Sequence, residues 1–306
     1  MDEALSSYGH RPRGRRGDPM EQAQMPGCYR HPGVETGVRC TRCERPICHA
    51  CMVDAAVGFQ CPECVRDGSG TGHSRTANQP RTIAGGRITA GHPHLVTQVL
   101  IGLNLLIFLL GRLNPALIDE TVLIGFAFDP DLGRVVGVAD GEWYRLVTSM
   151  FLHQEVWHIA GNMMLLWLLG GTLEEELGRV RYLTLYLLSG LAGSAFTYLI
   201  AAENQGSLGA SGAIYGLLGA TVVLVRRLNR DMRPIMALVV INLVITFAWD
   251  GIAWEAHIGG LIAGVILAYA MVNGPRERRA LLQGAACALV LGLALATVVL
   301  RTAALT

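Results

Sequence analysis

Apolar residues along this chain come in long runs separated by short polar breaks. Seven runs stand out, at roughly 95–112, 157–173, 182–201, 210–226, 234–249, 254–273 and 282–300. A hydrocarbon core about 30 Å thick is crossed by about 20 helical residues. Each run therefore predicts a spanning helix, and the chain an all-α polytopic membrane protein. The pattern ahead of them is different. Residues 1–25 predict a disordered tail, and the polar, cysteine-rich stretch at 26–66 a small module. Residues 67–92, rich in Gly, Ser, Thr and Arg, predict a flexible linker. No secretory signal peptide is expected ahead of the first run. The segment at about 113–156, far longer than the other connections, reads as a functional loop lying partly in the membrane interface.

Charge adds orientation. The net charge of +1 singles out no charged partner, and nucleic acid is not expected. The stretch from Arg11 to Arg16 reads as part of the tail. Elsewhere arginines sit at alternate loops: Arg179 and Arg181, then Arg226, Arg227, Arg230 and Arg233, then Arg276, Arg278 and Arg279. The intervening loops carry Asp119, Glu120, Asp129, Asp131, Glu203 and Asp250. The positive-inside rule then predicts a cytoplasmic N-terminus, an outer C-terminus and a multi-pass protein of the cell membrane, in contact with lipid.

Seven of the eight cysteines lie between 26 and 66, in pairs with two-residue gaps: Cys28 with His31, Cys40 with Cys43, Cys48 with Cys51, Cys61 with Cys64. Such gaps let both side chains of a knuckle reach one metal, and four pairs make two tetrahedral zinc sites. A cytoplasmic location disfavours disulfides, and a segment with so few apolar residues needs the metal to fold. His49 reads as a spare and Cys287 as a packing residue in the last run. The order resembles a B-box or other cross-brace zinc finger. That resemblance implies that pairs one and three share one ion and pairs two and four the other. A sequential arrangement stays open. The expected cofactors are two structural Zn²⁺ and none for catalysis, and the module's expected partner is a cytoplasmic protein.

Strongly polar groups within spans are costly and raise a functional hypothesis. Here they are His158 and Asn162 on the second run, Ser211 on the fourth and His257 on the sixth. Counting about 1.5 Å per residue from the inner ends puts Ser211 about 22 Å up, His158 and His257 about 24 Å and Asn162 about 18 Å. All four fall in one layer. A fourth helix starting at Ser211 is short for a bilayer, so "ENQGSLGA" ahead of it must dip in without helical bonding, which requires a protein or water-filled surround. Gly209 and Gly212 allow a sharp turn and close approach at Ser211. The helix N-terminus offers free N–H groups for an oxyanion. A serine nucleophile needs a base. The chain has no lysine, and no acid is expected at that depth, so the reading is a Ser211–His257 dyad with Asn162 and His158 as oxyanion donors. His-Glu-x-x-His is absent, as are paired aspartates within the runs.

These residues resemble a known family. "GASG" around Ser211, "AHIGG" around His257, "HIAGN" from His158 to Asn162 and "EWYRLVTSMFLH" with Trp143 and Arg145 are similar to the motifs of rhomboid intramembrane serine proteases. A tyrosine separates Trp143 and Arg145, a mild departure. Tyr215 resembles the tyrosine that packs on the family's histidine. The resemblance implies a six-helix core at 93–275; the seventh run and the C-terminus, at 276–306, lie beyond it. It implies lateral access near the first loop and fifth span. It further implies cleavage of single-span membrane proteins near the outer part of their helix, through an acyl-enzyme. The alternative is a catalytically silent rhomboid-like protein that binds membrane clients. A transporter would call for paired mid-membrane charges or repeated halves, and neither is present.

Overall fold

Each of the seven apolar runs coincides with one helix: α1 (Leu95–Leu113), α2 (Val156–Leu177), α3 (Arg179–Ile200), α4 (Ser211–Arg227), α5 (Arg233–Ala248), α6 (Trp254–Asn273) and α7 (Arg279–Leu305). They belong to a computed structural model that describes residues 25–67, 82–86, 94–130, 133–249 and 251–306. The expected tail up to residue 24, most of the expected linker, Asp131 and Asp250 lie outside the described residues. The chain divides into two units, Met1–Gln79 and Pro80–Thr306. Among the described residues five helices (α1, α2, α3, α6 and α7) are long and apolar enough to cross a membrane, and α5 is apolar but shorter. The chain is an all-α polytopic membrane protein.

Burial ranks the helices. On α4 every residue from Gly212 to Ala220 is buried, the pattern of a helix enclosed on all sides. It packs against α3 and α6 through glycines, the means by which helices in lipid approach closely. A Cβ on Gly260 of α6 would collide with the Gly212 carbonyl, and one on Gly264 with the Gly216 carbonyl. A Cβ on Gly193 of α3 would lie 2.7 Å from Ala256 O. By contrast α5 buries only Ile235, Val239 and Thr246 and turns Val240, Ile241, Val244 and Phe247 outward. Outward apolar side chains are what a lipid-facing helix carries. At the other end of the body Glu174, buried on α2, accepts bonds from the N–H groups of Val96 and Thr97 at 2.9 Å each. It thereby satisfies two of the orphan donors at the start of α1.

Within the stretch expected to be a linker, residues 82–86 form a turn closed by Thr82 N–H to Gly86 O at 2.9 Å. Ala84 is fully buried, and Gln283 Nε2 of α7 donates to its carbonyl at 3.1 Å. The last position of the turn admits no side chain: a Cβ on Gly86 would stand 2.8 Å from Leu177 O.

The long first loop is built rather than loose. It holds a short helix, Ala116–Thr121, and a two-stranded hairpin, Ala127–Asp129 with Arg134–Val136. Arg145 is its pin. Buried to 2%, it donates from Nε to Glu142 at 2.7 Å and from one terminal nitrogen to the carbonyls of Asp119 and Val122. Burial works against ionisation of Glu142, but the Gly137 N–H, Arg145 and Arg134 together hold its carboxyl below the usual range. Trp143, its neighbour in the motif, is 47% exposed.

Candidate active site

Ser211 opens α4, so the chain ahead of it is unwound, as the short apolar run required. Its backbone is not left unpaired. Ser207 and Leu123 exchange two N–H···O bonds at 2.9 and 3.0 Å, and Gly209 N–H donates to Ser149 O at 2.9 Å. Gly209 has φ +128°, a conformation that side chains rarely adopt. It has a second reason to be glycine: a Cβ there would lie 2.8 Å from Cε1 and Nε2 of His158 and 3.6 Å from Ser211 Oγ. The His158 ring therefore lies against the turn that carries Ser211. No side chain caps α4, and the first N–H groups of a helix have no intrahelical partner.

His257 sits in the second turn of α6, 6% exposed. Tyr215, one turn after Ser211, stacks on its ring with centroids 4.0 Å apart and planes at 9°. Its Nδ1 lies 2.8 Å from Thr246 Oγ1 of α5. Asn162 Nδ2 lies 2.9 Å from His153 Nε2, and the His153 ring meets His158 edge-on at 4.9 Å. Ser211, His257, His158, Asn162 and Tyr215 all line one cavity of about 700 Å³, whose walls also carry Ile118, Val122, Trp157, Ile241, Ile245 and Ala253. Such an arrangement can hold an extended apolar segment beside a serine, a histidine and an amide. Glu255, two residues before His257, is buried as well, but the atom meeting Nδ1 is the threonine hydroxyl.

Two members of this group escaped the sequence reading. His153 ends the quoted "EWYRLVTSMFLH" yet lies before the second apolar run, so no depth argument reached it. Thr246 is an unremarkable residue within an apolar helix. Nothing along the chain marks it, because its partner His257 comes from the next helix.

The N-terminal unit holds two clusters, Cys28, His31, Cys48 and Cys51, and Cys40, Cys43, Cys61 and Cys64, each with ligand atoms within 4.8 Å of one another. Pair one thus meets pair three, and pair two meets pair four. His31 Nδ1 lies 3.9, 3.3 and 3.4 Å from the sulfurs of Cys28, Cys48 and Cys51, and the sulfurs of Cys43 and Cys61 are 3.8 Å apart. The edges of a zinc tetrahedron with these donors are about 3.5–3.8 Å. A disulfide would be about 2.05 Å. All eight cysteines are free. The core of this unit is Ile47 and the sulfurs themselves. Burial opposes ionisation of Cys28, but the N–H groups of Cys48, Arg30 and His31 bring its thiol down to about 6. Burial and the neighbouring Cys28 and Cys48 push Cys51 up to about 11. Crowded sulfurs of this kind suit a cation, and both sets could hold a metal ion. His49 is exposed and outside both clusters, and Cys287 of α7, also outside them, is partly buried against the core.

A rhomboid domain matches residues 140–274. The chain is 36% identical over 182 residues to the rhomboid protease GluP of Bacillus subtilis, covering 57% of this chain and 34% of that protein. It is 35% identical over 156 residues to the putative rhomboid protease YdcA of the same organism, covering 49% and 78%. It is 32% identical over 185 residues to RHOMBOID-like protein 5 of Arabidopsis thaliana, covering 56% and 59%. The chain thus spans about a third of GluP and most of YdcA. With the motifs, the helical body and these likenesses in agreement, this chain belongs to the rhomboid family of membrane proteins.

Proposed function

We propose that this protein is an intramembrane serine endopeptidase that cuts single-span membrane proteins within or near the outer part of their transmembrane helix. One observation carries the reading: Ser211, His257, His158 and Asn162, from three separate helices, line a single cavity in a polytopic body. Related proteins that bear the name protease support it. A substrate segment would enter between α2 and α5, near the stacked rings of Trp157 and Trp249, and unwind into the cavity. Ser211 Oγ attacks the scissile carbonyl and His257 takes its proton. The Asn162 amide, His158 and the Ser211 N–H hold the oxyanion, and water then hydrolyses the acyl-enzyme. The protein would lie in the cell membrane with its N-terminus in the cytoplasm. The direct test is cleavage of a tagged single-span substrate by purified protein in detergent, read by the appearance of two fragments.

Asn162 has two amide hydrogens, and His153 Nε2 can accept only one. The other is free for the oxyanion. Asn162→Ala is expected to lower kcat by about 10- to 100-fold with little change in KM, less than the full cost of a lone donor because His158 and the backbone share the charge. Unchanged turnover in both detergent and lipid would remove Asn162 from the site.

The N-terminal unit would hold two structural zinc ions, one on each four-residue cluster, and would serve a cytoplasmic protein partner. Elemental analysis should find about two zinc per chain. A strong chelator should unfold residues 26–66, because structural zinc supplies the folding energy of so small a core. Deleting residues 1–79 should leave cleavage in detergent intact, since the turn at Thr82–Gly86 stays with the membrane unit. Absence of zinc would refute the metal assignment, and loss of cleavage by a correctly inserted truncation would refute the independence of the two units.

A further inference from the structure

We propose that Thr246 is the positioning residue of His257, fixing the imidazole in the tautomer that leaves Nε2 free to act as base. The inference rests on the protease reading and deepens it. A neutral histidine carries one proton on either ring nitrogen, and the bond made by one nitrogen decides the state of the other. Here Nδ1 is engaged, 2.8 Å from Thr246 Oγ1, with both residues buried. The rest of the network favours one direction for that bond. Thr246 Oγ1 lies 2.8 Å from the carbonyl of Asn242, one turn earlier on α5. We assign the single threonine proton to that carbonyl, the usual back-bond of a helical threonine. The Tyr215 hydroxyl lies against the same two atoms, 2.7 Å from Asn242 O and in close contact with Thr246 Oγ1. It too donates inward. With its own proton spent, Thr246 Oγ1 meets the histidine as an acceptor, and the imidazole proton resides on Nδ1.

The consequence is chemical. Nε2 is then the nitrogen with a free lone pair, on a residue that lines the same cavity as Ser211. During attack the proton leaving Ser211 Oγ goes to Nε2 as the Oγ–carbon bond forms, and Nδ1–H stays in place, its bond to Thr246 strengthened by the positive charge. The ring is thus held twice, across its face by Tyr215 and in its plane by Thr246. No carboxylate is required, and a neutral acceptor carries no charge into the membrane interior. Thr246 is also the only buried side chain in the second half of α5, a helix otherwise turned outward. A purely structural reading would make it a tether for that helix, so the test must separate tethering from tautomer control.

Thr246→Val keeps the shape and removes the acceptor, whereas Thr246→Ser keeps the hydroxyl and removes a methyl. Both are assayed as full-length protein in detergent for substrate cleavage, for labelling of Ser211 by a fluorophosphonate, and for the thermal midpoint. Thr246→Val is expected to lose about tenfold in kcat and in labelling rate, the worth of one neutral hydrogen bond, with KM within about twofold. Thr246→Ser is expected to recover most of that loss, and the thermal midpoint of both variants should stay near wild type, whereas loss of a mere tether would lower the midpoint of Thr246→Val. Should Thr246→Val fail to accumulate in folded form, Thr246→Ala, which adds no bulk, carries the same expectation. Normal kcat and labelling in either hydroxyl-free variant, against an active wild type, would overturn this inference alone. A folded wild type that neither cleaves nor labels would overturn the protease reading and this inference with it.

Discussion

Ser211→Ala and His257→Ala should each lower cleavage of a single-span substrate by about 10³-fold or more while the protein still inserts and keeps its thermal midpoint. The size follows from how a nucleophile and its base act. They form one unit, so removing either forfeits nearly all of the covalent route and leaves only what binding and the oxyanion donors supply. Folding should be spared for different reasons at the two positions. Ser211 is half-buried at the start of α4 and makes no side-chain cap, so alanine removes one hydroxyl and a Cβ still fits. His257 loses its stack on Tyr215 and its bond to Thr246. That costs stability, but α6 is held lower down by its glycine contacts with α4 and α3. A substrate-trapping experiment adds a second readout: the Ser211→Ala protein should still retain its substrate. Wild-type rates from Ser211→Ala would sink the mechanism, since the chain has no lysine or second serine motif of this kind to take over.

Gly260→Val should have the other large effect, on the fold and the site together. The space facing Gly260 is already taken by the Gly212 carbonyl, a backbone atom that cannot rotate away. A β-branched side chain must therefore push α4 and α6 apart, and overpacking of this kind costs about 1–3 kcal/mol and occasionally more. Ser211 and His257 lie at the same end of those two helices, within three residues of the collision. Cleavage should fall to background even in whatever fraction folds, and the thermal midpoint should drop by several degrees, about 2–4 °C per kcal/mol at this size. Gly292→Ala in α7 is the control: nothing lies within 4 Å of the added carbon, and alanine favours helix by about 1 kcal/mol. It should be neutral or slightly stabilising. A Gly260→Val protein with unaltered midpoint and activity would show that the α4–α6 seam does not hold the site.

How much of this was legible beforehand varies by element. The seven apolar runs mark the helices to within a few residues because lipid leaves a helix no other way to satisfy its backbone. The break before Ser211 was legible too, since the run from 210 is too short to span and its glycines mark a turn. Shared depth along the bilayer normal could be counted, and His158, Asn162, Ser211 and His257 do border one cavity. Sideways position could not be counted. Rise per residue says how high a side chain sits, not which neighbour it faces.

The sequence by itself therefore determined the class of protein, the helices and their order, the family, and the polar groups that a membrane interior would not carry without cause. These are one-dimensional properties, set by hydropathy, spacing and local backbone freedom. The tertiary structure alone decided that Thr246 meets His257, that His153 engages Asn162, and that Arg145 pins the first loop through the carbonyls of Asp119 and Val122. It also chose between the cross-brace order that the resemblance implied and a sequential one, bringing pairs one and three, and two and four, together. The reason is common to all of them. Each contact joins residues from separate elements or distant knuckles, so it depends on how those elements rotate and cross. That choice is made by close packing at glycines such as Gly212 and Gly260, where a single methyl decides which faces can meet.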